Sequence, residues 1–295
     1  EVLDAFLFDQ LGAMVVMPDA GGPIQLSPFS IEPPTARWQR VSRTIRRWEE
    51  SWRERYQLGV LDCPTSSMDS IHQLLNETQG GDFVLCGWRG TPQRLLAHGW
   101  RSAGGLAAGV LAREGTGVVQ GIEGRVLELG PGRRVHGDRS ALLGLEPAIP
   151  EVESLDEFCV LMDLHPEQNR ARVRSELTCR RPFRGWPLPS VRTVKAIHYM
   201  IREAANHFVF TQVNALNAFN LSNSIRSVLG PYTRKGLLVG PDGSGSPKIH
   251  GSFDRNPEAP SLIADVTAQL QPWCRSIKVR VSLKQGLEPL IELES

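Results

Sequence analysis

The chain has 295 residues, 41% hydrophobic and 22% charged, ordinary values for a folded domain with a sizeable core. With 33 basic against 32 acidic residues, the net charge of +1 argues against a dedicated nucleic-acid binder. No run approaches the ~20 apolar residues of a membrane span, and Glu1-Val-Leu-Asp is not the basic-then-apolar opening of a secretory signal. The five cysteines (Cys63, Cys86, Cys159, Cys179, Cys274) are scattered, with no Cys-x-x-Cys pair, so neither a zinc site nor a disulfide framework is expected. Only five of the 33 basic residues are Lys, a bias that fits a GC-rich genome as well as any mechanism.

In chain order, Val2–Phe8 and Met14–Met17 read as strands, closed by the turn cluster Pro18–Pro23. After Pro33-Pro34 a helix is expected over residues 35–55, with Trp38, Val41, Ile45, Trp48 and Trp52 on one stripe. Arginines, including Arg43, Arg46 and Arg47, cover the rest of it, interspersed with glutamates, and read first as a solvated face. Strands follow at Gln57–Asp62 and Asp82–Trp88, with a helix between them at Ser70–Glu77. A small-residue helix is expected over Gly104–Arg113, then strands or a hairpin over Gly117–Leu129. Strand alternating with helix implies an α/β layer with a largely parallel sheet.

The stretch 147–189 is broken by Pro150, Pro166, Pro182 and Pro187 and reads as a linker or short insertion. It carries a basic cluster that includes Arg170, Arg172 and Arg174, which either docks an acidic neighbour or is simply solvated. A helix over Val191–Asn206, a strand at Phe208–Gln212 and a helix over Ala215–Leu229 come next. Strands near Leu262–Gln269, Ile277–Leu283 and Leu290–Leu293 close an α+β unit.

The chemical motifs are mostly missing. Gly240–Gly245 is glycine-rich but lacks the Gly-Lys-Ser/Thr ending of a phosphate loop, and strand rather than helix follows, so it reads as a mobile surface loop. Gly104–Gly109 lacks the glycine spacing of a dinucleotide fingerprint. No Gly-x-Ser-x-Gly or His-Glu-x-x-His occurs, and no two of the seven histidines stand at i, i+4. No catalytic residue, metal or cofactor is therefore expected.

What the sequence does carry is an ordered series of weak motifs. Gln57-Leu-Gly-Val-Leu-Asp-Cys-Pro64 is a strand ending in Leu-Asp-x-Pro, followed by the strand Asp82–Trp88. Then come Ser102-Ala-Gly-Gly-Leu-Ala-Ala-Gly-Val-Leu-Ala-Arg113, Gly117-Val118 and Gly137-Asp-Arg-Ser140. Towards the end stand Val191-Arg-Thr-Val194, Phe208–Asn214, Asn217–Leu229, Gly236-Leu-Leu-Val-Gly240 and Ala264–Leu283. In this order the chain resembles the contractile phage tail sheath family over about two-thirds of its length. It departs from that pattern in lacking Pro-Pro before the Ser102 motif and in reading Gly121-Ile-Glu-Gly124 where Ala-Pro-Ala-Asn is usual. It is also compact for the family, as if decorating domains were absent.

The resemblance implies an α/β plus α+β fold: an N-terminal arm and first strands (1–30), a sheath-like α/β core (31–146), the linker (147–189) and a C-terminal α+β domain (190–295), with extended terminal arms. It implies a non-enzymatic structural subunit that polymerises around an inner tube and contracts to drive it through a target envelope. Cap, baseplate or adaptor components of the same machine are the alternative, and an α/β enzyme of unknown class the third reading. Partners would be further copies of the chain, the inner tube, and baseplate and cap or terminator proteins, with no nucleic acid and no membrane insertion. Assembly would take place in the bacterial cytoplasm, for a virion tail or an injection particle. The inter-subunit arms would hold Val2, Leu3, Ala5, Phe6 and Leu7 at one end and Leu287, Leu290, Ile291 and Leu293 at the other. Val2–Phe8 serves equally well as the first strand of the domain's own sheet. Arg43, Arg46, Arg47, Arg170, Arg172 and Arg174 are the candidate basic surface facing the tube.

Overall fold

The computed structural model describes residues 14–17, 25–27, 30–31, 58–62, 83–89, 107–109, 111, 126–128, 159–165, 170–179, 186–256, 259–271, 275–284 and 286–294. The chain combines helix and sheet and divides into two compact units, Glu1–Arg192 and Thr193–Ser295.

In the first unit a six-stranded sheet has the order β1-β4-β5-β7-β8-β6. Its strands are β1 (Met14–Met17), β4 (Leu58–Asp62), β5 (Phe83–Arg89), β6 (Val126–Glu128), β7 (Cys159–His165) and β8 (Arg170–Val173). The short strands β2 (Gln25–Ser27) and β3 (Ser30–Ile31) pair separately. From β1 through β4 and β5 to β7 all pairing is parallel, whereas β8 and β6 are antiparallel. The sheet is therefore mixed rather than largely parallel.

Consecutive residues of the central strands are buried: Val60 and Leu61 in β4, and Phe83, Val84, Leu85 and Cys86 in β5. Neighbouring side chains on a strand point to opposite faces, so both faces of this sheet are covered, as parallel strands require. Among the residues expected to form the small-residue helix, 107–109 and 111 are helical, and Ala107, Ala108 and Leu111 are buried.

The stretch 147–189 differs from expectation, because it supplies β7 and β8 to this sheet. Its prolines do not prevent this: Pro166 falls between the two strands, and Pro187 bridges Leu177 just before the next helix. Residues after β8 are tied in by backbone bonds, Cys179 donating to the Phe83 carbonyl at 2.9 Å and Leu188 to that of Glu176 at 2.8 Å. The Arg192 guanidinium donates to the Leu111 carbonyl at 3.1 Å.

The second unit is built from α1 (Leu188–Asn206), which begins before the division, α2 (Ala215–Arg234) and a five-stranded antiparallel sheet. The sheet runs β10 (Lys248–Asp254), β11 (Ser261–Leu270), β12 (Arg275–Lys284), β13 (Leu290–Glu294), with β9 (Leu238–Val239) pairing the end of β11. In α1, Val194, Ile197, Ile201, Ala204 and Ala205 are buried, the 3-4 spacing of one helical face. In α2 the buried set is Ala218, Leu221, Ser222, Ile225, Leu229 and Tyr232, and the helix packs on β9, β10 and β11. Strand β11 alternates strictly from Leu262, with Leu262, Ala264, Val266, Ala268 and Leu270 buried, and β12 answers with Ile277, Val279, Val281 and Leu283. Helix α2 thus covers one sheet face, and the other carries polar residues such as Asp265, Lys278 and Arg280.

Local chemistry sets the bounds of α2. The Asn214 side chain accepts from the Asn217 amide at 2.8 Å, satisfying one of the free donors at the helix start. At the other end, Leu237 donates to the Tyr232 carbonyl and Gly236 to that of Thr233, with Gly236 at φ +69°. This paired closure needs a left-handed residue at Gly236. Nothing lies within 4 Å of a Cβ there, so the penalty of Gly236→Ala is purely conformational. It should cost about 1 kcal/mol, read as a lower denaturation midpoint at unchanged cooperativity.

One expected strand is absent: Phe208–Gln212 is a turn between the two helices. Its polar groups are met locally, Phe208 donating to Ala205, Thr211 to Phe208, and the Thr211 hydroxyl to the same Phe208 carbonyl at 2.8 Å. That leaves Phe210 84% exposed.

Candidate assembly surface

Strand β10 is an edge: it pairs with β11 over seven residues, and among the described residues no strand pairs with its outer side. Such an edge presents free backbone donors and acceptors, the groups with which another strand can pair. Beside it α2 comes unusually close. A Cβ at Gly251 would overlap both the Ser222 hydroxyl and the Ala218 carbonyl oxygen, so only glycine permits this crossing. The Ser222 hydroxyl is itself turned inward, donating to Ala218 at 3.0 Å.

The crossing leaves a groove of about 510 Å³ between helix and strand. On the helix side stand Ala215, Phe219, Asn223 and Arg226. On the strand side both faces of β10 contribute, Ile249 and Phe253 from the inner face and His250 and Ser252 from the outer. Residues from both faces can line one groove only if it runs along the strand's edge. Phe219 is 62% exposed and Leu216, one turn away, 66%. Arg226, the groove's fixed cation, donates to the Asn223 side chain at 2.6 Å, and among the described residues no carboxylate lines the groove. An exposed aromatic, an open strand edge and one cation make a surface suited to binding an extended chain.

The other edge of this sheet is β13, and here the expected C-terminal arm is corrected. Leu290, Ile291 and Leu293 pair in cis with Ser282, Val281 and Val279 of β12. Glu292 stands opposite Arg280 and Glu294 opposite Lys278, so charge as well as apolar contact favours this register. Leu287 lies in the preceding turn and is exposed. That turn is held by Gly286 donating to the Val209 carbonyl at 3.2 Å and by an Arg202–Glu288 ion pair at 2.7 Å.

The remaining expected site residues fall in two groups. Val2, Leu3, Ala5, Phe6, Leu7, Arg43, Arg46 and Arg47 lie outside the described residues. Arg170 and Arg172 are on β8, in register with His165 and Asp163 of β7, and Arg172 and Arg174 are exposed. Sequence reasoning missed the β10–α2 groove. Its available signal was Gly251 at the centre of an alternating Ile249-x-Gly251-x-Phe253 pattern, a glycine where a neighbouring backbone approaches.

Other chemistry-bearing features are isolated. The Gly240–Ser246 loop is closed by Gly240 donating to the carbonyls of Ser244 and Gly245. Asp242 within it is held below the usual carboxylate range, chiefly by hydrogen bonds from its own amide and that of Ser244. Burial raises the Tyr232 hydroxyl above its ordinary value. Among the described residues no group of three His, Cys, Asp or Glu side chains is placed to hold a metal ion, and no helix is long and apolar enough to cross a membrane.

No protein-family model and no curated protein matches the chain. Among solved structures it is similar to a sheath tail protein from Listeria innocua, with 9% identity and a TM-score of 0.44. The match covers 90% of this chain and 63% of that one, so this chain spans less than two thirds of that protein's length.

Proposed function

We propose that this protein is the structural subunit of a contractile tail sheath, built to polymerise around an inner tube and contract to drive it onward. The observation that carries the reading is the open β10 edge beside an aromatic groove in the C-terminal unit. The ordered motifs of the sequence support it. A strand supplied by another copy would pair its backbone with β10 and seat alternate side chains in the groove, so backbone bonds give strength and pockets give register. Repetition of such a head-to-tail contact between two different surfaces yields an open polymer when the rotation between copies does not close a ring.

In this reading contraction is a change between two packings of folded subunits, with the N-terminal arm as tether. Its driving energy is the gain in lateral contacts summed over many copies, so no nucleotide, metal or catalytic group is called for. Arg170, Arg172 and Arg174 on and beside β8, the last two exposed, are the described part of the basic surface we assign to an acidic tube. Baseplate and cap or terminator proteins would close the two ends.

The test is the assembly state of the purified full chain by electron microscopy. Tubes or stacked rings of indefinite length are expected. A ring of fixed copy number would instead assign a cap or baseplate role, and a monomer that never assembles would end the proposal. Deleting residues 1–8 should leave circular dichroism unchanged and abolish tubes. Deleting the C-terminal residues is not a clean counterpart, because β13 is paired within the fold.

A further inference from the structure

We infer that Asp242–Gly243 is a modification site controlled by the fold: the bond isomerises to the β-linked isoaspartate when the Gly240–Ser246 loop opens and is spared while the loop is closed. The inference is independent of the assembly reading. Asp242, Gly243 and Ser244 are exposed, so solvent reaches the site. Asp-Gly is the dipeptide least hindered for this chemistry, because no side chain on the second residue shields its nitrogen. It occurs once in the chain.

The reaction is a dehydration followed by a hydrolysis. The Gly243 nitrogen attacks Cγ of the protonated Asp242 carboxyl. The new N–Cγ bond closes an imide ring, and the nitrogen's hydrogen leaves with the carboxyl OH as one water. Solvent water then opens the ring. Cleavage of the N–Cγ bond restores aspartate, whereas cleavage between the nitrogen and the Asp242 backbone carbonyl carbon leaves the chain running through Cβ and Cγ. The product has the same mass and one more methylene in its backbone.

The closed loop opposes this at both reacting groups. The Gly243 amide, which must lose its hydrogen, donates it to the Gly240 carbonyl at 2.9 Å. The Asp242 carboxyl accepts from its own amide and from that of Ser244, with the Ser244 hydroxyl and the Lys248 charge adding to the hold. These contacts favour the ionised form, from which oxygen is a poor leaving group. The neck of the loop is tied by Gly240 donating to the Ser244 and Gly245 carbonyls at 3.0 and 3.3 Å. A Cβ at Gly240 would overlap the Ser244 carbonyl oxygen and lie 2.9 Å from Asp242 Oδ1. Gly240 is outside the left-handed region, so alanine there acts through contact alone and forces the neck apart.

The experiment incubates the full chain, folded and in guanidinium, at one neutral pH and below any assembly concentration. Trypsin then releases residues 236–248, in which Asp242 is the one side-chain carboxyl, and chromatography with electron-transfer fragmentation measures the isoaspartate share. The folded chain should react more slowly by about tenfold or more, because only the open fraction reacts. Gly240→Ala, shown folded by circular dichroism, should raise the folded rate by about threefold or more and leave the unfolded rate unchanged. Equal rates in the folded and unfolded parent, no isoaspartate in either, or a folded Gly240→Ala as slow as the parent would each overturn the inference. Should Gly240→Ala not fold, the two rates of the parent decide it alone.

Discussion

Replacing Gly251 with alanine should destabilise the protein by about 1–3 kcal/mol, towards the upper end of that range. The added Cβ meets the Ser222 hydroxyl and the Ala218 carbonyl oxygen at once, and the Ala218 carbonyl carbon lies 3.1 Å away. Ser222 could turn aside, but the Ala218 carbonyl is helix backbone, so relief requires all of α2 to lift from β10. The same helix buries Leu221, Ile225 and Leu229, and lifting it loosens those contacts too. Denaturant unfolding of Gly251→Ala measures the loss. Ser222→Gly in the same chain removes only the side-chain half of the clash and should recover less than half of it. Full recovery would show that the hydroxyl, not the helix backbone, sets the helix-to-strand distance.

The result bears on assembly because the groove exists only where helix and strand approach this closely. Gly251→Ala should therefore weaken tube formation by widening or tilting the groove, with a lowered denaturation midpoint. Arg226→Glu should weaken it with the midpoint unchanged. The pair separates the shape of the surface from its charge.

Legibility in the sequence followed physical cause, element by element. Strands β4 and β5 could be read because a strand buried on both faces needs an unbroken apolar run, and Leu58–Leu61 and Phe83–Cys86 provide one. Helices α1 and α2 could be read because one-sided burial leaves a 3-4 spacing. Strand β10 had no readable bounds: its inward residues are only Ile249, Gly251 and Phe253, and the central glycine looks like a breaker although the helix crossing demands it. Strands β7 and β8 were obscured by the prolines of the stretch around them, of which Pro187 forms a bridge with Leu177 beyond β8. Phe208–Gln212 has strong strand composition but stands between two helices, with no strand paired to it among the described residues, so local turn bonds win over propensity. Arg226 drew no notice because a lone arginine on a helix has no signature, and only the groove gives it a role.

The largest single effect is expected in the first unit. Phe83 is fully buried at the start of β5, which pairs in parallel with β4 on one side and β7 on the other. Its neighbours Val84 and Leu85 are equally buried, so there is no solvent-facing side towards which the strand can relax. Phe83→Ala should therefore leave most of the lost ring as a cavity and cost about 3–5 kcal/mol. Phe83→Leu keeps more of the volume and should cost clearly less. The backbone bond from Cys179 to the Phe83 carbonyl does not depend on the side chain and survives both changes, so the difference between them reports packing alone. Denaturant midpoints of the two variants measure it, and equal losses would mean that the β5 site closes around whatever side chain it holds. Assembly of Phe83→Ala should fail in step with its fold and recover where the fold is restored, at lower temperature or with stabilising osmolyte. Arg226→Glu should show no such recovery, because its defect lies in the contact between copies.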